Sequence, residues 1–538
     1  MKPWSILLFL YSFAMAVCIA RAVDLTVLSG DQNRELADEN RLFRVSVPGK
    51  RGVILDRDGN VLVANTPQYF LATGSASKLF ADIWSLPEIS PEEALRVRAA
   101  SPSSVFFRSR RDSPVSASLV HVIGFTGFAD SLDVLDQRYE NRVGKSGVEK
   151  SFEPILRGKS GTQLIEISAK GVMQRSIVML EDPQAGTDVT LSVDKHLSDV
   201  AAVALAGEPG AVVVSDIPSG QVLTLISSPS YSVASISSAL TDQKKPLINR
   251  SITAFPPGST FKPMVALAAL QAGTITAQTQ FEDTGEIKAG ESVFGNWYWR
   301  QYGKVEGNIS LVRALARSND IYFYKTAESV GPDKIDAMAG QFGFGKSTGL
   351  ELPGEAAGLL PNSAWKEKKI GDKWFLGDTY NLGIGQGYLL ATPVQVNNMT
   401  ATLARHGSWC PLTLKLSKDP LCTDVQIDSK YIDEVIEGMV GVCNAGGTAF
   451  PFFPLTSTLP EEKKIACKTG TAEFGATLAQ GKKRTHGWFT MFYPKQKPKV
   501  AITVFVESTD DHPFLEGSTN ASPIALKVFQ AWKEKYDK

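Results

Sequence analysis

The chain has 538 residues, of which 43% are hydrophobic and 21% charged. This composition is typical of a globular protein with two to four domains and a large core. Lys plus Arg and Asp plus Glu each number 56, so the charge indicates neither nucleic-acid binding nor electrostatic capture by an anionic membrane. The five cysteines form no CxxC pair and no Cys/His cluster with zinc spacing, and the sequence predicts no metal site and no cofactor.

The first predicted element is an apolar segment near the N-terminus. The run from Pro3 to Ala20 lies between Lys2 and Arg21, and a stretch of about 17–25 residues is enough to cross a hydrocarbon core. Because basic residues favour the cytoplasmic side of a membrane, we expect the short N-terminus to stay in the cytoplasm and the chain after Arg21 to lie outside. We interpret residues 1–22 as an uncleaved anchor. A cleavable signal is the alternative, because Ala20-Arg21-Ala22 is an acceptable cleavage site.

Export would also permit a disulfide. Cys410 and Cys422 are close enough in the sequence to form one local bridge in an oxidising compartment. Free thiols remain the alternative at this point.

Residues 23–206 are predicted to form an extended β-rich module without a chemical site of its own. The stretch 48–65 reads as a strand, a turn at Asp58-Gly59 and a second strand. We interpret Arg51, Asp56 and Arg57, together with Gly59, as a structural, salt-bridged turn. Residues 85–115 read as loops with a short helix at 91–99, and residues 141–163 as one short helix between glycines.

Residues 207–538 are predicted to form an antiparallel sheet with helices inserted between its strands. The segment 210–228 has the pattern of a hairpin, and 463–470, 485–494 and 499–508 have the pattern of strands. Helical patterns dominate between 259 and 450. A last helix places four apolar residues on one face: Ala525, Val528, Phe529 and Trp532. The fold class is therefore α+β.

A serine and a lysine stand where this helical region begins. Ser259 and Lys262 follow Pro-Pro-Gly and precede the apolar run Met264–Leu270, so Ser259 is predicted at a helix N-terminus. Unpaired N–H groups and the positive end of the helix dipole there stabilise an oxyanion. Lys262 lies on the same face at i+3, and an apolar pocket lowers the pKa of a lysine enough for it to act as a base. The alternative is an N-cap serine beside a surface lysine.

Two further short motifs occur in the order expected for a serine enzyme of this kind. Ser318 and Asp320 come just before an aromatic block, and Lys468-Thr469-Gly470-Thr471 ends an apolar strand. A lysine and two hydroxyls can hold a carboxylate, and Gly470 is expected to let a substrate backbone lie close along the strand edge. The three motifs match the S-x-x-K, S-x-N-type and K-T-G set of penicillin-recognising enzymes.

The chain thus resembles a class B penicillin-binding protein, a monofunctional peptidoglycan D,D-transpeptidase. The resemblance extends beyond the motifs to 51–65, 121–127, 144–163, 381–396 and 438–449. The stretch 485–494 and the acidic residue Asp320, where most relatives have asparagine, are similar to the penicillin-binding protein 2 subgroup that serves cell elongation. The resemblance implies a transpeptidase fold at 207–538, preceded by a pedestal, or dimerisation-like domain, at 23–206 and a transmembrane helix.

The family's functional residues carry over to each motif. The resemblance implies that Ser259 attacks the penultimate D-alanine of a stem peptide, that Lys262 accepts its proton, and that Ser318 relays a proton while Asp320 fixes Ser318 and Lys262. It implies that Lys468 supplies positive potential. Thr469 and Thr471 would grip the substrate carboxylate beside Gly470, and the N–H groups of Ser259 and Thr471 would form the oxyanion hole. Beta-lactams would acylate the same serine.

The resemblance also implies a location and partners. The protein would be a single-pass protein of the bacterial inner membrane with its catalytic domain in the periplasm. Its partners would be a polytopic glycan-polymerising glycosyltransferase and other proteins of the elongation complex, and nucleic acid is not expected among them. Two other functions remain open: a D,D-carboxypeptidase or beta-lactamase-like hydrolase, and a non-catalytic beta-lactam sensor or scaffold.

Some residues in these regions favour a structural interpretation. The family's Gly-His-Gly near the second motif is replaced by 301–308, which contains no histidine. His486 is interpreted as a structural histidine rather than a residue of the site's rim. The aromatic cluster 296–302 has the alternatives of a lid or glycan contact and of ordinary packing. Strand alternation predicts that Cys467 points away from the site.

Overall fold

A computed structural model of the chain describes residues 3–71, 87–100, 105–112, 114, 116–129, 142–167, 173–416, 420–479 and 481–537. The predictions made for residues 1–2, 72–86, 101–104, 113, 115, 130–141, 168–172, 417–419, 480 and 538 fall outside the described residues. The N-terminal apolar run forms helix α1 (Pro3–Val23), which continues as one π-helical turn to Leu28. The helix Pro3–Leu28 is long and apolar enough to cross a membrane, and none of it is buried against the protein.

The pedestal follows as small sheets and short helices. In chain order its elements are α2 (Gly30–Arg41), β1 (Leu42–Val47), β2 (Ile54–Leu55), β3 (Val61–Val63), β4 (Asn65–Leu71), β5 (Glu88–Ile89), α3 (Pro91–Ala100), β6 (Val105–Arg111), α4 (Val120–Ile123), β7 (Thr126–Phe128), β8 (Arg142–Gly144), α5 (Gly147–Ser151), α6 (Glu153–Leu156), β9 (Gly161–Ile167), β10 (Met173–Glu181) and β11 (Val189–Thr190). The strands pair as β1-β9-β10, β11-β2-β3, β5-β4-β6 and β7-β8. The predicted strand–turn–strand at 48–65 and the helix at 91–99 are confirmed. Strand β6 lies where only loops were predicted.

The turn between β2 and β3 is held mainly by hydrogen bonds. The Asp56 carboxylate accepts from the backbone N–H groups of Asp58 and Asn60 at 3.0 and 2.8 Å, and Gly59 supplies a positive φ of 84°. Arg51 makes its ion pairs elsewhere, with Glu149 and Glu153 at 2.7 and 2.6 Å. The structural interpretation of this turn is confirmed, although its stabilisation comes from the Asp56 turn rather than from a local salt bridge.

The second half begins with a helix and the predicted hairpin. Its elements are α7 (Lys195–Leu205), β12 (Gly210–Asp216), β13 (Val222–Ser228), α8 (Ile236–Ala239), α9 (Lys262–Gln271), β14 (Gln280–Asp283), β15 (Glu286–Ala289), β16 (Ser292–Gly295), α10 (Trp297–Tyr302), β17 (Gly307–Ser310), α11 (Leu311–Arg317), α12 (Asp320–Val330), α13 (Pro332–Gln341), α14 (Ser363–Ile370), α15 (Leu376–Gly383), α16 (Pro393–Ala404), β18 (Ser408–Trp409), β19 (Thr423–Asp424), α17 (Ser429–Cys443), α18 (Phe453–Ser457), β20 (Ala466–Thr477), β21 (Lys483–Tyr493), β22 (Val500–Val506) and α19 (Ser522–Tyr536). The helices from α8 to α18 thus lie between β13 and β20, the second and third strands of the main sheet in chain order.

The main sheet is five-stranded and antiparallel, in the order β13-β12-β22-β21-β20. Both of its faces are covered, which explains the near-continuous apolar runs of its strands. One face packs against α16 of the helical region, and the other against α7 and α19. The four apolar residues predicted on one face of α19 are all buried. Strand β20 lies at an edge of the sheet, and its free side faces the helical region.

Helix α9 forms the centre of the helical region. Every residue from Lys262 to Leu270 is buried, in keeping with a run that is apolar on all sides. The helical region contacts the sheet at strand β20. Three helix ends meet there: the start of α9, the end of α11 and the start of α12.

Candidate active site

The turn that carries Ser259 is held rigidly at the start of α9. Residues Gly258–Phe261 form a 3-10 turn that leads directly into the helix at Lys262. In a 3-10 turn the side chains at i and i+3 eclipse one another, so this geometry favours Ser259 and Lys262 on the same side of the turn. Ser259 is half-buried and Lys262 is fully buried. The N-cap of the α-helix is Phe261, so the alternative in which Ser259 is an ordinary N-cap does not hold.

Glycines allow this turn to press against β20. Gly258 has a φ of 56°, and a Cβ on it would lie 3.0 Å from the carbonyl oxygen of Thr471. A Cβ on Gly470 would lie 3.0 Å from Thr260 and 3.1 Å from the carbonyl oxygen of Pro257. Gly470 was expected to make room for a substrate backbone, whereas its missing side chain makes room for the turn that carries Ser259. The two predicted oxyanion donors, on Ser259 and Thr471, are thereby brought to adjacent segments.

The second motif occupies the junction between α11 and α12. Ser318 adopts the left-handed conformation, with a φ of 53°, and is the C-cap of α11. Asn319 is the N-cap of α12, and its side chain accepts from the N–H of Tyr322 at 2.9 Å. A positive φ at a non-glycine residue is uncommon and costs backbone energy. Here it directs the Ser318 hydroxyl towards the two lysines.

Lys262 and Lys468, called the lysine pair below, converge on Ser318. The Lys262 Nζ donates to the Ser318 carbonyl oxygen at 2.7 Å and to the Ser318 Oγ at 3.3 Å. It also forms an ion pair with the Asp320 Oδ1 at 2.7 Å. The Lys468 Nζ lies 2.8 Å from the same Ser318 Oγ and 2.9 Å from the Thr469 carbonyl oxygen. The structure thus joins Lys262, Ser318, Asp320 and Lys468 by direct contacts. The fifth predicted catalytic residue, Ser259, lies in the 3-10 turn just before Lys262.

The electrostatics of the lysine pair favour loss of a proton. Both side chains are fully buried, and burial lowers the pKa of Lys262, opposed by the charge of Asp320. Burial also holds the pKa of Lys468 well below its usual range, and the neighbouring Lys262 lowers it further. One carboxylate faces two buried amines, so the arrangement favours a state in which one amine is neutral and can accept a proton.

The two threonines of the third motif differ in their surroundings. Thr469 is buried, and its hydroxyl lies 2.6 Å from that of Thr448. Thr471 is exposed. Since β20 is an edge strand, its backbone beside Thr471 can pair with an extended peptide. Thr471 is therefore the freer of the two hydroxyls. Thr448 lies in the stretch 438–449 that carries part of the resemblance, but the sequence analysis assigned it no role.

Cys467 points away from the lysines, as strand alternation predicts. It packs in the core on the α19 side of the sheet and forms a disulfide with Cys443, at the end of α17. The sequence analysis missed this bridge. The local bridge between Cys410 and Cys422, for which free thiols were the alternative, is present.

His486 has structural surroundings, whereas the aromatic cluster 296–302 stays partly exposed at Trp299 and Tyr302. His486 is 3% exposed, stacks on Phe474 at 3.9 Å and accepts from the N–H of Ser508. Burial lowers the pKa of His486 to about 3, so this ring is neutral and structural. Trp297 of the aromatic cluster donates its indole N–H to the carbonyl oxygen of Arg317 at 2.9 Å, which joins the cluster to the second motif. Within the described ranges, no group of three or more His, Cys, Asp or Glu residues is placed to hold a metal ion.

Comparisons with known proteins agree with this geometry. Residues 210–530 match the family model of the penicillin binding protein transpeptidase domain, and residues 76–191 match that of the penicillin-binding protein dimerisation domain. The chain is 31% identical to the peptidoglycan D,D-transpeptidase MrdA of Salmonella typhimurium, over 91% of this chain and 89% of that protein. It is 30% identical to MrdA of Acinetobacter baumannii, over 96% and 85%.

Solved structures give the same result. The complex between PBP2 and MreC from Helicobacter pylori has a TM-score of 0.76 at 27% identity, covering 92% of this chain and all of that one. Pseudomonas aeruginosa PBP2 in complex with WCK 5153 has a TM-score of 0.71 at 30% identity, covering 92% and 98%. With a buried lysine pair meeting the second-motif serine beside an edge strand, and with both family models matched, the chain belongs to the class B penicillin-binding proteins, the serine-type peptidoglycan D,D-transpeptidases.

Proposed function

We propose that this protein crosslinks peptidoglycan stem peptides through an acyl-enzyme on Ser259. The observation that carries the proposal is the lysine pair: two buried amines within 3.3 Å of the Ser318 hydroxyl, with Lys262 one turn after Ser259. A neutral amine at that place is a base for the serine hydroxyl. The N–H groups of Ser259 and Thr471 would stabilise the oxyanion that forms at the attacked carbonyl.

The substrate itself would decide which amine is neutral. A stem peptide that pairs with β20 brings its terminal carboxylate beside Thr471 and Lys468. This negative charge favours the charged form of Lys468 and, by repulsion between the two amines, the neutral form of Lys262. Lys262 then takes the Ser259 proton, and Ser318, in contact with both lysines, passes a proton to the leaving D-alanine. An amine of a second stem peptide would release the acyl group.

The surroundings of the catalytic domain support a place outside the cytoplasm. Helix α1 is apolar and unburied. Two disulfides, Cys410–Cys422 and Cys443–Cys467, are present in the second half of the chain, as expected in an oxidising compartment. We propose a single-pass protein of the inner membrane with its catalytic domain in the periplasm. The similarity to MrdA supports a role in elongation.

A glycan-polymerising partner is proposed on the same basis. One similar structure, with a TM-score of 0.73 over 99% of this chain, belongs to a peptidoglycan synthase complex that coordinates polymerization and crosslinking. Another similar protein is bound to MreC. These relatives support partners of both kinds for this chain.

The test uses the full-length protein in detergent. Incubation with penicillin followed by mass spectrometry should place one adduct on the peptide that contains Ser259, and Ser259→Ala should abolish it. With a donor stem peptide ending in D-Ala-D-Ala and a D-amino acid as acceptor, the exchanged product should exceed the hydrolysed one. Predominant hydrolysis, or rapid turnover of a chromogenic cephalosporin, would instead identify a hydrolase. Absence of any adduct would favour a non-catalytic scaffold.

A further inference from the structure

A buried carboxylate lies behind the second motif. Asp283, at the end of β14, is 2% exposed. Its Oδ2 accepts from the side-chain amides of Asn296 and Asn319 at 2.9 and 2.8 Å, and from the N–H of Glu306 at 3.0 Å. Its Oδ1 accepts from the N–H of Gly285 at 2.9 Å. Four donors compensate for the loss of water around this charge, although no ion pair to Asp283 occurs among the described residues.

The two asparagines connect this carboxylate to the motif. While the Nδ2 of Asn296 donates to Asp283, its Oδ1 accepts from the N–H of Asp320 at 3.2 Å. Asn319 makes the same pair of hydrogen bonds: its Nδ2 donates to Asp283, and its Oδ1 accepts from the N–H of Tyr322. A carboxylate only accepts, so Asp283 fixes which end of each amide faces the first turn of α12.

The same segment also holds the Asp320 side chain. The N–H of Trp297, the residue after Asn296, donates to the Asp320 Oδ2 at 3.0 Å. The other oxygen of Asp320 is the one that pairs with Lys262 at 2.7 Å. The backbone and side chain of Asp320 are therefore both held by the stretch that Asp283 anchors.

We propose that Asp283 is a positioning residue for acylation, which acts through Asn296 and Asn319 to hold Asp320 and Ser318 in register with Lys262. The proposal rests on the roles proposed above for Lys262 and Ser259. A positioning role differs from a merely structural role of Asp283 in β14, because only the positioning role predicts that Asp283 affects the protonation of the lysine pair. Asp320 and Lys468 are the charged groups that face Lys262.

The physical consequence is a shift in the pH dependence of the reaction. If Asp283 no longer fixes the amides, Asp320 moves and Lys262 loses part of its counter-charge. Burial then lowers the pKa of Lys262 further, because the opposing charge is weaker. The acid limb of the acylation rate should move to lower pH while the maximum rate falls. A change that only loosens the β14 region would lower the rate without moving the limb.

The experiment measures the second-order rate constant of acylation by a fluorescent penicillin from pH 5 to 10 with full-length protein. Asp283→Asn keeps the volume and removes the charge that holds all four donors. Its amide nitrogen cannot accept, so the variant loses the bond from Gly285 or, with the amide turned the other way, the three bonds at Oδ2. We expect a ten- to hundredfold lower maximum rate and an acid limb at least about half a pH unit lower, from the weakened counter-charge. Glu286→Gln, the same charge change at an exposed residue of β15, is the matched control and should behave like the wild type.

A second variant keeps the test decisive. Asn296→Ala cuts the link between Asp283 and Asp320 and should reproduce the shifted limb, so it decides the question if Asp283→Asn fails to fold. A wild-type rate and limb in the folded variant, or a lower rate with the limb unmoved, would overturn the positioning role. Failure of the wild type to label at Ser259 would instead overturn the proposed function.

Discussion

The replacement Lys262→Met tests the base at the centre of the site. Methionine has a similar length and no amine, so it fills the buried space and removes the chemistry. A positioned base contributes about 10²–10⁴-fold to the rate, and each factor of ten corresponds to about 1.4 kcal/mol of activation free energy. We therefore expect acylation of Ser259 by penicillin to slow by about a thousandfold, or about 4 kcal/mol.

The structure predicts that this variant folds. Asp320 loses the partner of its Oδ1, but its side chain is 13% exposed and its Oδ2 still accepts from the N–H of Trp297. The cost to stability should be about 1–3 kcal/mol, the usual range for one lost partner of a buried polar group. Circular dichroism and thermal unfolding would confirm a native fold.

The assay is the time course of the penicillin adduct by intact-mass spectrometry. The matched control is Lys334→Met, at an exposed position of α13, which should acylate at the wild-type rate. A Lys262→Met variant that acylates within tenfold of the wild type would falsify the assignment of Lys262 as the base. Lys468, 2.8 Å from the Ser318 hydroxyl, would then be the remaining amine able to take the proton.

Three further predictions concern charge and covalent links. The wild-type acylation rate should fall as pH is lowered through the pKa of the lysine pair, because protonation removes the neutral base. Burial places this limb below 10.5, the ordinary lysine value, and a stopped-flow pH profile would locate it. Glu149→Ala should cost about 3–5 kcal/mol, measured by urea unfolding, because it removes the ion-pair partner of the buried Arg111, 2.7 Å away, and leaves Arg51 with Glu153 alone. An unchanged midpoint would contradict this. Replacing both Cys443 and Cys467 by serine opens a loop with a sequence separation of 24 and should cost about 3.5 kcal/mol by the chain-entropy relation, whereas an equal unfolding midpoint with and without the bridge would contradict it.

Local patterns predicted much of the fold. Apolar residues at strand and helix spacing predicted the hairpin at β12 and β13 and the buried face of α19. The continuous apolar run after Lys262 predicted the buried helix α9. At these places the packing in the folded protein agrees with the local pattern. Strand β6 was missed because its segment contains three arginines among seven residues, a composition that loops share. The bridge between Cys443 and Cys467 was missed because sequence spacing alone does not place the end of α17 beside β20.

The sequence predicted the residues of the site and the link between Asp320 and Lys262, but not the contact between Lys468 and Ser318. The motifs identified Lys262, Ser318 and Lys468, since the residue types themselves carry the chemistry. The left-handed backbone at Ser318 could not be predicted, because non-glycine residues rarely adopt it and packing between α11 and α12 imposes it. Asp283 and Asn296 gave no signal either, since single Asp and Asn residues are common in turns.

The contacts also change how the base should be understood. A sequence motif assigns one role to each residue, with Lys262 as base and Lys468 as positive charge. In the structure both amines contact one hydroxyl and are buried beside one carboxylate, so the pair titrates as a unit. We expect its protonation to depend on what binds beside β20, because an anionic ligand there would stabilise the charge of Lys468 and leave Lys262 neutral. Binding of a carboxylate-bearing substrate would therefore itself activate the serine, and ligands without that carboxylate should acylate more slowly even when they fit the cleft.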